Sequence, residues 1–593
     1  MNGSLSEGVR QAGPSHRVLG IIRMTMKHAV RTCCFASLML ASFLAPAGMG
    51  ASKSPVRGGQ AMVVSTEPRA TEAGIQILKG GGNAVDAAVA VGFVLAVTHP
   101  SAGNLGGGGF MLIRSEKTGE ALVIDYREMA PRGAGRTMYQ DKDGHVLEDA
   151  STIGYRAIGV PGTVAGLTFA LEKYGSMKLA QVLAPAITLA RNGVELGYFE
   201  SESMKSARKL LEKFPESRRI YLRDGNYYQE GEKFQQPELA RSLEGIAGTG
   251  AREFYEGTIA QLIAKDMEAN GGLITLADLK TYRALVRKPI EGSYRGYQIY
   301  TPPPPSSGGI ALVHMLNILE GYPLSNYGPG SSRTLHLLAE TMKRAFADRA
   351  EYLGDGDFVR VPVSGLISKK YANERRETID PFLATEAEKL APGKPEPYES
   401  AQTTHFSVVD REGNAVANTY TLNGSYGSGV TIPGTGILMN NEMDDFGAKP
   451  GSPNKFGLIH GEANAIAPGK RPLSAMTPTI VTREGKLFMV LGSPGGPTII
   501  NTVLQTLLNV IDFKMSVQEA VDAPRVHHQW MPDKLAIERA GLARDVIDAL
   551  KARGHAIEVR ESIGDCHAIL VDPKTGVRLG AADPRQDGRA IGY

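Results

Sequence analysis

The sequence predicts an α+β fold in which β-sheets pack face to face and helices cover the outside. Two observations favour this class. Helix-like and strand-like segments occur in both halves of the chain, and the strands after residue 403 are short and joined by tight turns. Because each sheet must bury an apolar face, this mixture of elements favours a layered sandwich.

The first elements are helices punctuated by glycine. Pro68 begins a helix that ends at Gly80, since proline is favoured in a first helical turn and glycine after a last one. Residues 83–97 are apolar all round except Asp86, which is typical of a buried helix. Hydrophobic periodicity predicts the remaining elements. In chain order they are strands at 110–114 and 121–126, a helix at 178–191, a strand at 296–301, a helix at 333–349, strands at 403–410, 415–422, 478–483 and 487–492, helices at 498–511 and 542–553, and a strand at 567–572.

The composition is that of a soluble globular protein. Of the 593 residues, 42% are hydrophobic and 21% are charged, and 65 basic residues against 62 acidic ones give a net charge of +3. A charge so close to zero argues against a nucleic-acid or membrane-surface partner.

The N-terminus has the features of a secretory signal. Lys27 and Arg31 precede an apolar run at 33–44, and Ala45 to Ala47 offers small residues for a signal peptidase. The run is too short for a membrane span, which needs about 20 apolar residues. We therefore expect residues 1–47 to be removed and the protein to be secreted, into the periplasm of a Gram-negative bacterium.

Removal of this segment leaves Cys566 as the only cysteine, so no internal disulfide can form. The sequence around it, Gly564-Asp565-Cys566-His567, matches no pattern that activates a thiol, and we expect a buried, unreactive side chain. A large exported protein without disulfides fits a bacterial periplasm.

The stretch ESAQTTHFSVVD, residues 399–410, raises the first functional question. Residues 386–402 are charged, rich in proline and without periodicity, which predicts a solvated tether. A strand nevertheless begins directly after them with two hydroxyl side chains, Thr403 and Thr404. One interpretation is an ordinary linker before a new sheet. The other is that the chain is cut before Thr403, which becomes a new N-terminus.

The strand that begins at Thr403 is predicted to form a hairpin with residues 415–422 through a turn at 411–414. A symmetric loop pairs residue 404 with Thr421, whereas a one-residue bulge places Thr421 opposite Thr403. Either register brings the side chains of Thr403 and Thr421 within about 5–8 Å. Threonine is common in strands, so this pair alone does not identify a site.

Further polar groups follow the hairpin. They are Asn423, the acids of NNEMDDF at 440–446, the run RPLS at 471–474 and the glycines of GSPGG at 492–496. Carboxylates bind an ammonium group, and arginine binds a carboxylate through two hydrogen bonds. Adjacent glycine N–H groups can approach a developing oxyanion closely.

The chain also carries an ordered series of longer motifs. They are PSAGNLGGGGFM (100–111), DYREMAP (125–131), GVPGTVAGL (159–167), PPPPSSGGI (302–310), TTHFSVVD (403–410), TYTLN (419–423), NNEMDDF (440–446), KRPLSAMTPTI (470–480) and GSPGG (492–496). Together they resemble the γ-glutamyltranspeptidases, a family of N-terminal-nucleophile hydrolases. The resemblance covers nearly the whole chain after the signal, and so many ordered motifs make it specific.

The resemblance implies a four-layer αββα sandwich of the N-terminal-nucleophile type, formed jointly by two pieces of one precursor. Self-cleavage of the Gln402–Thr403 bond would give a large subunit, residues 48–402, and a small subunit, residues 403–593. Thr403 would then be the nucleophile, its freed α-amino group would be the general base, and Thr421 would orient its hydroxyl.

The same resemblance implies how a γ-glutamyl group is bound. Its α-carboxylate would be held by Arg127 and Ser474. Its α-ammonium would be held by Asn423, Glu442 and Asp445. The oxyanion hole would be formed by Gly495 and Gly496.

The donor implied by the resemblance is glutathione or a related γ-glutamyl compound, and the acceptor is water, an amino acid or a peptide amine. The resemblance calls for no metal and no organic cofactor. Nor does it call for a nucleic-acid partner, or for a membrane anchor once the signal is removed.

Two positions depart from the family pattern. Ala475 follows Ser474 where many relatives have a second serine, so one hydroxyl for the donor carboxylate is missing. Phe456 replaces a tyrosine in the loop 450–457, which resembles a lid over the pocket. Because phenylalanine cannot hydrogen-bond to Asn423, we expect a looser lid and more hydrolysis relative to transfer.

Three other functions remain as alternatives. Some family members are acylases that act on glutaryl side chains of β-lactams, but Asp445 would gain nothing from a substrate without an ammonium group. A non-catalytic γ-glutamyl-binding protein that is never cleaved would not need Thr403 and Thr421. An ordinary serine hydrolase would need a G-x-S-x-G motif, which the sequence lacks.

Overall fold

The computed structural model of the protein describes residues 52–395 and 405–593. Two seven-stranded antiparallel sheets lie at its centre. Their strands are β1 (Val56–Gly58), β2 (Met62–Ser65), β3 (Gly108–Arg114), β4 (Ala121–Tyr126), β5 (Leu285–Arg287), β6 (Ile290–Tyr294), β7 (Tyr297–Thr301), β8 (Phe406–Val409), β9 (Ala415–Thr421), β10 (Thr479–Arg483), β11 (Lys486–Gly492), β12 (His567–Val571), β13 (Arg578–Ala582) and β14 (Arg589–Gly592). The other strands are Val194–Glu195, Lys233–Phe234, Thr431–Ile432, Ile437–Leu438, Val526–His527, Leu535–Glu538 and Ile557–Arg560.

Helices flank the two sheets. The longer ones are α1 (Pro68–Lys79), α2 (Ala84–Thr98), α3 (Thr163–Tyr174), α4 (Leu179–Asn192), α5 (Tyr198–Leu211), α6 (Pro237–Thr249), α7 (Thr258–Ala269), α8 (Gly308–Leu319), α9 (Ser332–Tyr352), α10 (Lys369–Glu377), α11 (Thr498–Ile511) and α12 (Arg544–Ala552). The shorter ones are Pro215–Tyr221, Ala251–Tyr255, Leu276–Thr281, Val363–Leu366 and Val517–Asp522. Within the described residues, none of these helices has the length and apolarity needed to cross a bilayer.

The strand order mixes early and late parts of the chain. The front sheet has the order β14-β2-β8-β9-β3-β4-β5, and the back sheet has the order β1-β13-β12-β11-β10-β7-β6. Each sheet therefore contains strands from before and after residue 403. Neither part of the chain completes a sheet without the other.

Alternating side chains define four layers. In β3, Met111 belongs to the core under the helices, whereas Phe110 and Leu112 belong to the core between the sheets. This is expected because successive residues of a strand face opposite sides of the sheet. Buried residues of α1 to α4, α6 and α7 share one core with the front sheet, and those of α8 to α12 share another core with the back sheet. The predicted αββα sandwich is confirmed.

Most predicted elements are confirmed to within three residues at either end. Helix α2 is buried along its whole length, and its one charged residue has a structural role. The carboxylate of Asp86 accepts a hydrogen bond from the backbone N–H of Asn83 at 2.8 Å, and the Asn83 side chain accepts one from Asp86 N–H at 3.0 Å. This reciprocal cap satisfies donors at the helix start. The strand predicted at 403–410 is described from Phe406 to Val409, and its first two residues lie outside the described part of the chain.

The β8–β9 hairpin adopts the second of its two predicted registers. Phe406 pairs with Asn418 and Val409 with Ala415, which is the spacing that a one-residue bulge produces. The carboxylate of Asp410 closes the turn by accepting a hydrogen bond from Asn414 N–H at 2.9 Å.

Candidate active site

One cavity at the end of the front sheet, beside the last residues of β9 and β4, brings the predicted site residues together. Its volume is about 1000 Å³, and it is lined by all the predicted residues that the structure describes: Arg127, Thr421, Asn423, Glu442, Asp445, Ser474, Gly495 and Gly496. Gln402 and Thr403 lie outside the described residues. Sites for drug-sized ligands span about 300–1000 Å³, so this cavity has room for more than a single glutamyl group.

The front sheet places Thr421 and Arg127 close together. Thr421, at the end of β9, pairs with Gly108 in β3, and Gly109 pairs with Tyr126 at the end of β4. Arg127 follows Tyr126 directly. β3 lies between them and requires glycine at position 108, because an added Cβ there would lie 2.5 Å from the Tyr126 carbonyl oxygen.

Arg127 is fully buried and holds the two acids that were predicted to bind an ammonium group. Its guanidinium contacts the carboxylate of Glu442, and one of its nitrogens lies 2.5 Å from an oxygen of Asp445. A third acid, Glu128, lies 3.5 Å from the same guanidinium. Nε of Arg127 donates a hydrogen bond to the carbonyl of Pro472 at 3.2 Å. Three acidic groups thus share one cation.

Burial changes the protonation of this cluster. It raises the pKa of Glu128 to about 7, although Arg127 opposes the shift. It also raises the pKa of Glu442 well above the ordinary value, again against the effect of Arg127. An ammonium group that enters the cavity would supply a second positive charge and favour ionisation of these acids.

Asn423 and Thr421 hold each other in position. The backbone N–H of Asn423 donates to Thr421 Oγ1 at 2.9 Å, and its side-chain amide donates to the carbonyl of Asn441 at 3.0 Å. Asn423 has a φ of +72°, in the left-handed region that asparagine tolerates better than most residues. The turn after β9 thereby presents both side chains at the cavity wall.

The Gly495–Gly496 turn joins β11 to α11. Gly495 has a φ of +129°, and an added Cβ would lie 2.4 Å from Thr498 Oγ1, so only glycine fits. The Gly495 carbonyl accepts a hydrogen bond from Thr498 Oγ1 at 2.8 Å. Among the described residues no hydrogen bond uses the N–H groups of the two glycines. These donors lie at the start of α11, where a negative charge is stabilised.

Ser474 is linked to a buried arginine on α9. The Ser474 carbonyl accepts two hydrogen bonds from Ser307, one from its backbone N–H at 2.9 Å and one from its hydroxyl at 2.6 Å. The Ser307 hydroxyl in turn accepts one from Nε of Arg349 at 2.8 Å. Arg349 lines the cavity and is only 2% exposed.

Neither Glu128 nor Arg349 was predicted from the sequence. Glu128 follows Arg127 in the motif DYREMAP (125–131), but its place in the acidic cluster depends on Glu442 and Asp445, which fold against it. Arg349 lies at the end of the helix predicted at 333–349, and a charged residue of a helix is ordinarily solvent-exposed. No sequence signal marks it as buried. Cys566 is fully buried as predicted, and burial raises the pKa of its thiol to about 11.

Comparison with known proteins identifies the family. A family model described as gamma-glutamyltranspeptidase matches residues 70–593. The chain belongs to this family. The glutathione hydrolase proenzyme of Escherichia coli (strain K12) is 51% identical over 541 residues, which are 91% of this chain and 93% of that protein. The acylase ACY 1 proenzyme of Pseudomonas sp. (strain SE83) is 41% identical over 546 residues, with coverage of 91% and 94%.

Solved structures agree with the γ-glutamyltranspeptidase fold. The cephalosporin acylase from Bacillus halodurans is 29% identical and has a TM-score of 0.82, covering 93% of this chain and 98% of its own. Relatives named as glutathione hydrolases and as acylases thus share one architecture. The substrate class has to follow from the side chains that line the cavity.

Proposed function

We propose that this member of the γ-glutamyltranspeptidase family is a self-cleaving enzyme that transfers the γ-glutamyl group of glutathione and related amides to water or to an amine. One observation carries the proposal. Groups suited to an ammonium, a carboxylate and an oxyanion line one cavity at the end of the front sheet, next to the strand that follows the Gln402–Thr403 bond. The relatives named as proenzymes support self-cleavage.

The register of the β8–β9 hairpin supports Thr403 as the nucleophile. Phe406 pairs with Asn418. The same register, continued toward the cleavage point, would place residue 403 opposite Thr421. Directly opposed residues lie about 4.5–5.5 Å apart, so Thr421 would be close enough to orient the nucleophile's hydroxyl.

Cleavage of the Gln402–Thr403 bond supplies the base. An α-amino group has an ordinary pKa of about 7.7–8.0, so a useful neutral fraction can take the proton from Thr403 Oγ. The oxygen then attacks the γ-carbonyl carbon of the donor. The amide bond breaks, the amine leaves with the proton, and a γ-glutamyl ester remains on Thr403. Water or an acceptor amine attacks this ester and restores the hydroxyl.

We assign each part of the donor to described residues of the cavity. Its α-ammonium would lie against Glu442 and Asp445, which Arg127 positions, and its α-carboxylate would lie near Ser474. The free N–H groups of Gly495 and Gly496 would bind the oxyanion. A single donor of this kind contributes about 2.7–4 kcal/mol to transition-state stabilisation.

The other side of the cavity is available for the leaving amine of the donor and for the acceptor amine. Thr66 follows β2, on the far side of β8 from β9 and Arg127. Its hydroxyl donates to Asp565 at 2.9 Å, and the hydrogen-bonded pair of His99 and Glu200 lines the same cavity. We place the leaving amine of the donor, and afterwards the amino acid or peptide acceptor, on this side because the γ-glutamyl group occupies the Arg127 side.

We further propose that residues 48–402 and 403–593 stay together as two subunits, since both sheets need strands from each. The secretory signal at 1–47 lies outside the described residues, and export to the periplasm stays a prediction.

The donor class is tested by comparing γ-glutamyl and glutaryl p-nitroanilides. Relatives are named as acylases, and the glutaryl group, which lacks the α-ammonium, is therefore the second candidate. We expect kcat/KM for the γ-glutamyl compound to be about 10²- to 10³-fold higher, because the glutaryl compound leaves the Arg127-bound acids without an ammonium partner. A preference for the glutaryl compound would establish an acylase instead.

Replacing Phe456 by tyrosine tests the lid. Phe456 lines the cavity, and its ring packs beside Gly496, where an added Cβ would lie 3.2 Å away. A tyrosine hydroxyl that bonds to Asn423 would stabilise the closed loop by about 1 kcal/mol. We expect the ratio of transfer to hydrolysis, measured with glycylglycine as acceptor, to rise about fivefold. An unchanged ratio would show that the loop does not control water access.

A further inference from the structure

His99 and Glu200 form a hydrogen-bonded pair on the wall of the cavity. His99 directly follows α2, and Glu200 lies in the first turn of α5, where a negative charge is stabilised. Nδ1 of His99 lies 2.6 Å from one oxygen of the Glu200 carboxylate. The other oxygen of that carboxylate is buried and has no hydrogen-bond partner among the described residues. Within the described part of the chain, the Glu200 side chain therefore serves His99 alone.

This pairing leaves the second ring nitrogen of His99 able to exchange a proton. A carboxylate only accepts hydrogen bonds, so Nδ1 carries the hydrogen and Nε2 keeps a lone pair. Nε2 lies 3.4 Å from the Ser101 hydroxyl, which is a long and weak contact. The imidazole is 17% exposed and lines the cavity, so its ring can be reached from there. An imidazole that a carboxylate holds on one side is suited to act as a general base on the other.

The carboxylates around His99 favour its protonated form. Burial lowers the pKa of the imidazole, but Glu200 outweighs burial with help from Asp565 and Glu67, and the pKa lies above its ordinary value. Glu67 is itself paired with Arg69 at 3.0 Å. The shift brings the imidazole closer to the α-amino group of a peptide, whose ordinary pKa is about 7.7–8.0, and so favours proton transfer between the two.

The strand order places His99 on the amine side of the proposed reaction centre. β8 lies between β2 and β9, so residues that follow β2 lie across β8 from Thr421. Glu67 follows β2 and accepts a hydrogen bond from Thr98 Oγ1 at 2.9 Å, and His99 is the next residue after Thr98. His99 therefore reaches the cavity from the side on which we place the leaving amine and the acceptor.

We propose, on the basis of the γ-glutamyl transfer proposed above, that His99 is the general base for the acceptor amine and that Glu200 is its positioning residue. Near neutral pH the α-amino group of Thr403 is mostly protonated, because its ordinary pKa is about 7.7–8.0. This ammonium group can give a proton to the leaving Oγ, but it cannot take one from the attacking amine. His99 supplies the second group that this step needs.

Bonds and protons balance in the transfer step. The neutral amine nitrogen of the acceptor forms a bond to the γ-carbonyl carbon, and Nε2 of His99 takes one proton from that nitrogen. The bond from the carbon to Oγ of Thr403 breaks, and Oγ takes a proton from the α-ammonium group. The products are the γ-glutamyl amide, the free hydroxyl of Thr403 and an imidazolium, whose proton passes to solvent.

A His99→Gln variant tests the assignment through the fate of the γ-glutamyl ester. With γ-glutamyl p-nitroanilide as donor and glycylglycine as acceptor, chromatography separates the transfer product from glutamate. Near pH 7 we expect transfer to fall about 10²-fold, as when a general base is lost, and hydrolysis to change less than about threefold, since water does not need the acceptor side. Near pH 9.5 the loss of transfer should shrink to less than about tenfold, because the α-amino group is then neutral and can act as the base.

Glu200→Gln tests the positioning role. Glutamine keeps a hydrogen-bond acceptor for Nδ1 but removes the charge, so the pKa of His99 should fall. Because transfer requires the neutral imidazole, the rise of the transfer rate with pH should begin at a lower pH than in the wild type. Glu202→Gln is the matched control. Glu202 also lies on α5 and lines the cavity, but it is 41% exposed and pairs with Lys205 at 2.9 Å, so the pH profile should stay unchanged.

Each outcome points to a different conclusion. Equal losses of transfer and hydrolysis in His99→Gln, or the same loss of transfer at both pH values, would make the pair a structural link between α2 and α5 and overturn the inference. If His99→Gln does not fold, an unshifted profile in Glu200→Gln overturns it. A wild type that hydrolyses the donor without any transfer also overturns it but leaves the proposed hydrolysis intact. A wild type that does not act on the γ-glutamyl donor would contradict the proposed function itself.

Discussion

Replacing Thr403 by alanine is expected to leave the chain uncut and to abolish turnover. In the proposed mechanism the Thr403 hydroxyl breaks the Gln402–Thr403 bond and then forms the γ-glutamyl ester, and the variant lacks this hydroxyl. Loss of an activated nucleophile lowers kcat by about 10⁴-fold or more. Gel electrophoresis of the purified variant and release of p-nitroaniline from the γ-glutamyl donor measure the two effects.

Thr403→Ser is the matched control, because it keeps a hydroxyl at the same position. We expect it to be cut and to retain part of the activity. Thr404→Ala removes the neighbouring hydroxyl and should behave as the wild type. If Thr403→Ala were cut normally, or if Thr404→Ala were the inactive variant, the nucleophile would be assigned to the wrong threonine.

Replacing Arg127 by methionine is expected to have the largest effect on stability. The change leaves Glu128, Glu442 and Asp445 buried around an uncharged side chain. Breaking a buried charge network by removing one partner costs about 3–5 kcal/mol. The variant should therefore unfold at a clearly lower temperature. Its activity on the γ-glutamyl donor should fall by about 10²-fold or more, because the acids proposed to orient the donor lose the guanidinium that positions them.

An exposed arginine provides the comparison. Arg136 pairs with Glu462 at 2.6 Å, but its side chain is 54% exposed, and Arg136→Gln should cost less than about 1 kcal/mol. Adding Glu442→Gln and Asp445→Asn to Arg127→Met should restore much of the stability without restoring activity. An Arg127→Met variant as stable as the wild type would contradict the buried network.

Pattern and length decide which elements could be predicted. The strand Ala121–Tyr126 and the helix Thr498–Ile511 appear at their predicted bounds, since each is long enough to show its period. The edge strands Val56–Gly58 and Arg589–Gly592 were not predicted. Three or four residues show no usable period, and their pairing depends on partners far away in the chain.

Some features of the candidate site could likewise be predicted from the sequence, and others could not. Residues inside motifs, such as Thr421 and Gly495, were predicted and do line the cavity. The burial of Arg349 and the raised pKa of Glu442 were not predicted, because both depend on which groups fold against them. Burial and charge balance are tertiary properties that a motif does not carry.

The most direct test of the account is the intact mass and N-terminal sequence of the purified wild-type protein. We predict two chains that stay associated, one of which begins Thr-Thr-His-Phe, so that the cut lies between Gln402 and Thr403. A single uncut chain that hydrolyses γ-glutamyl p-nitroanilide, or a cut at any other bond in an active protein, would contradict Thr403 as an N-terminal nucleophile.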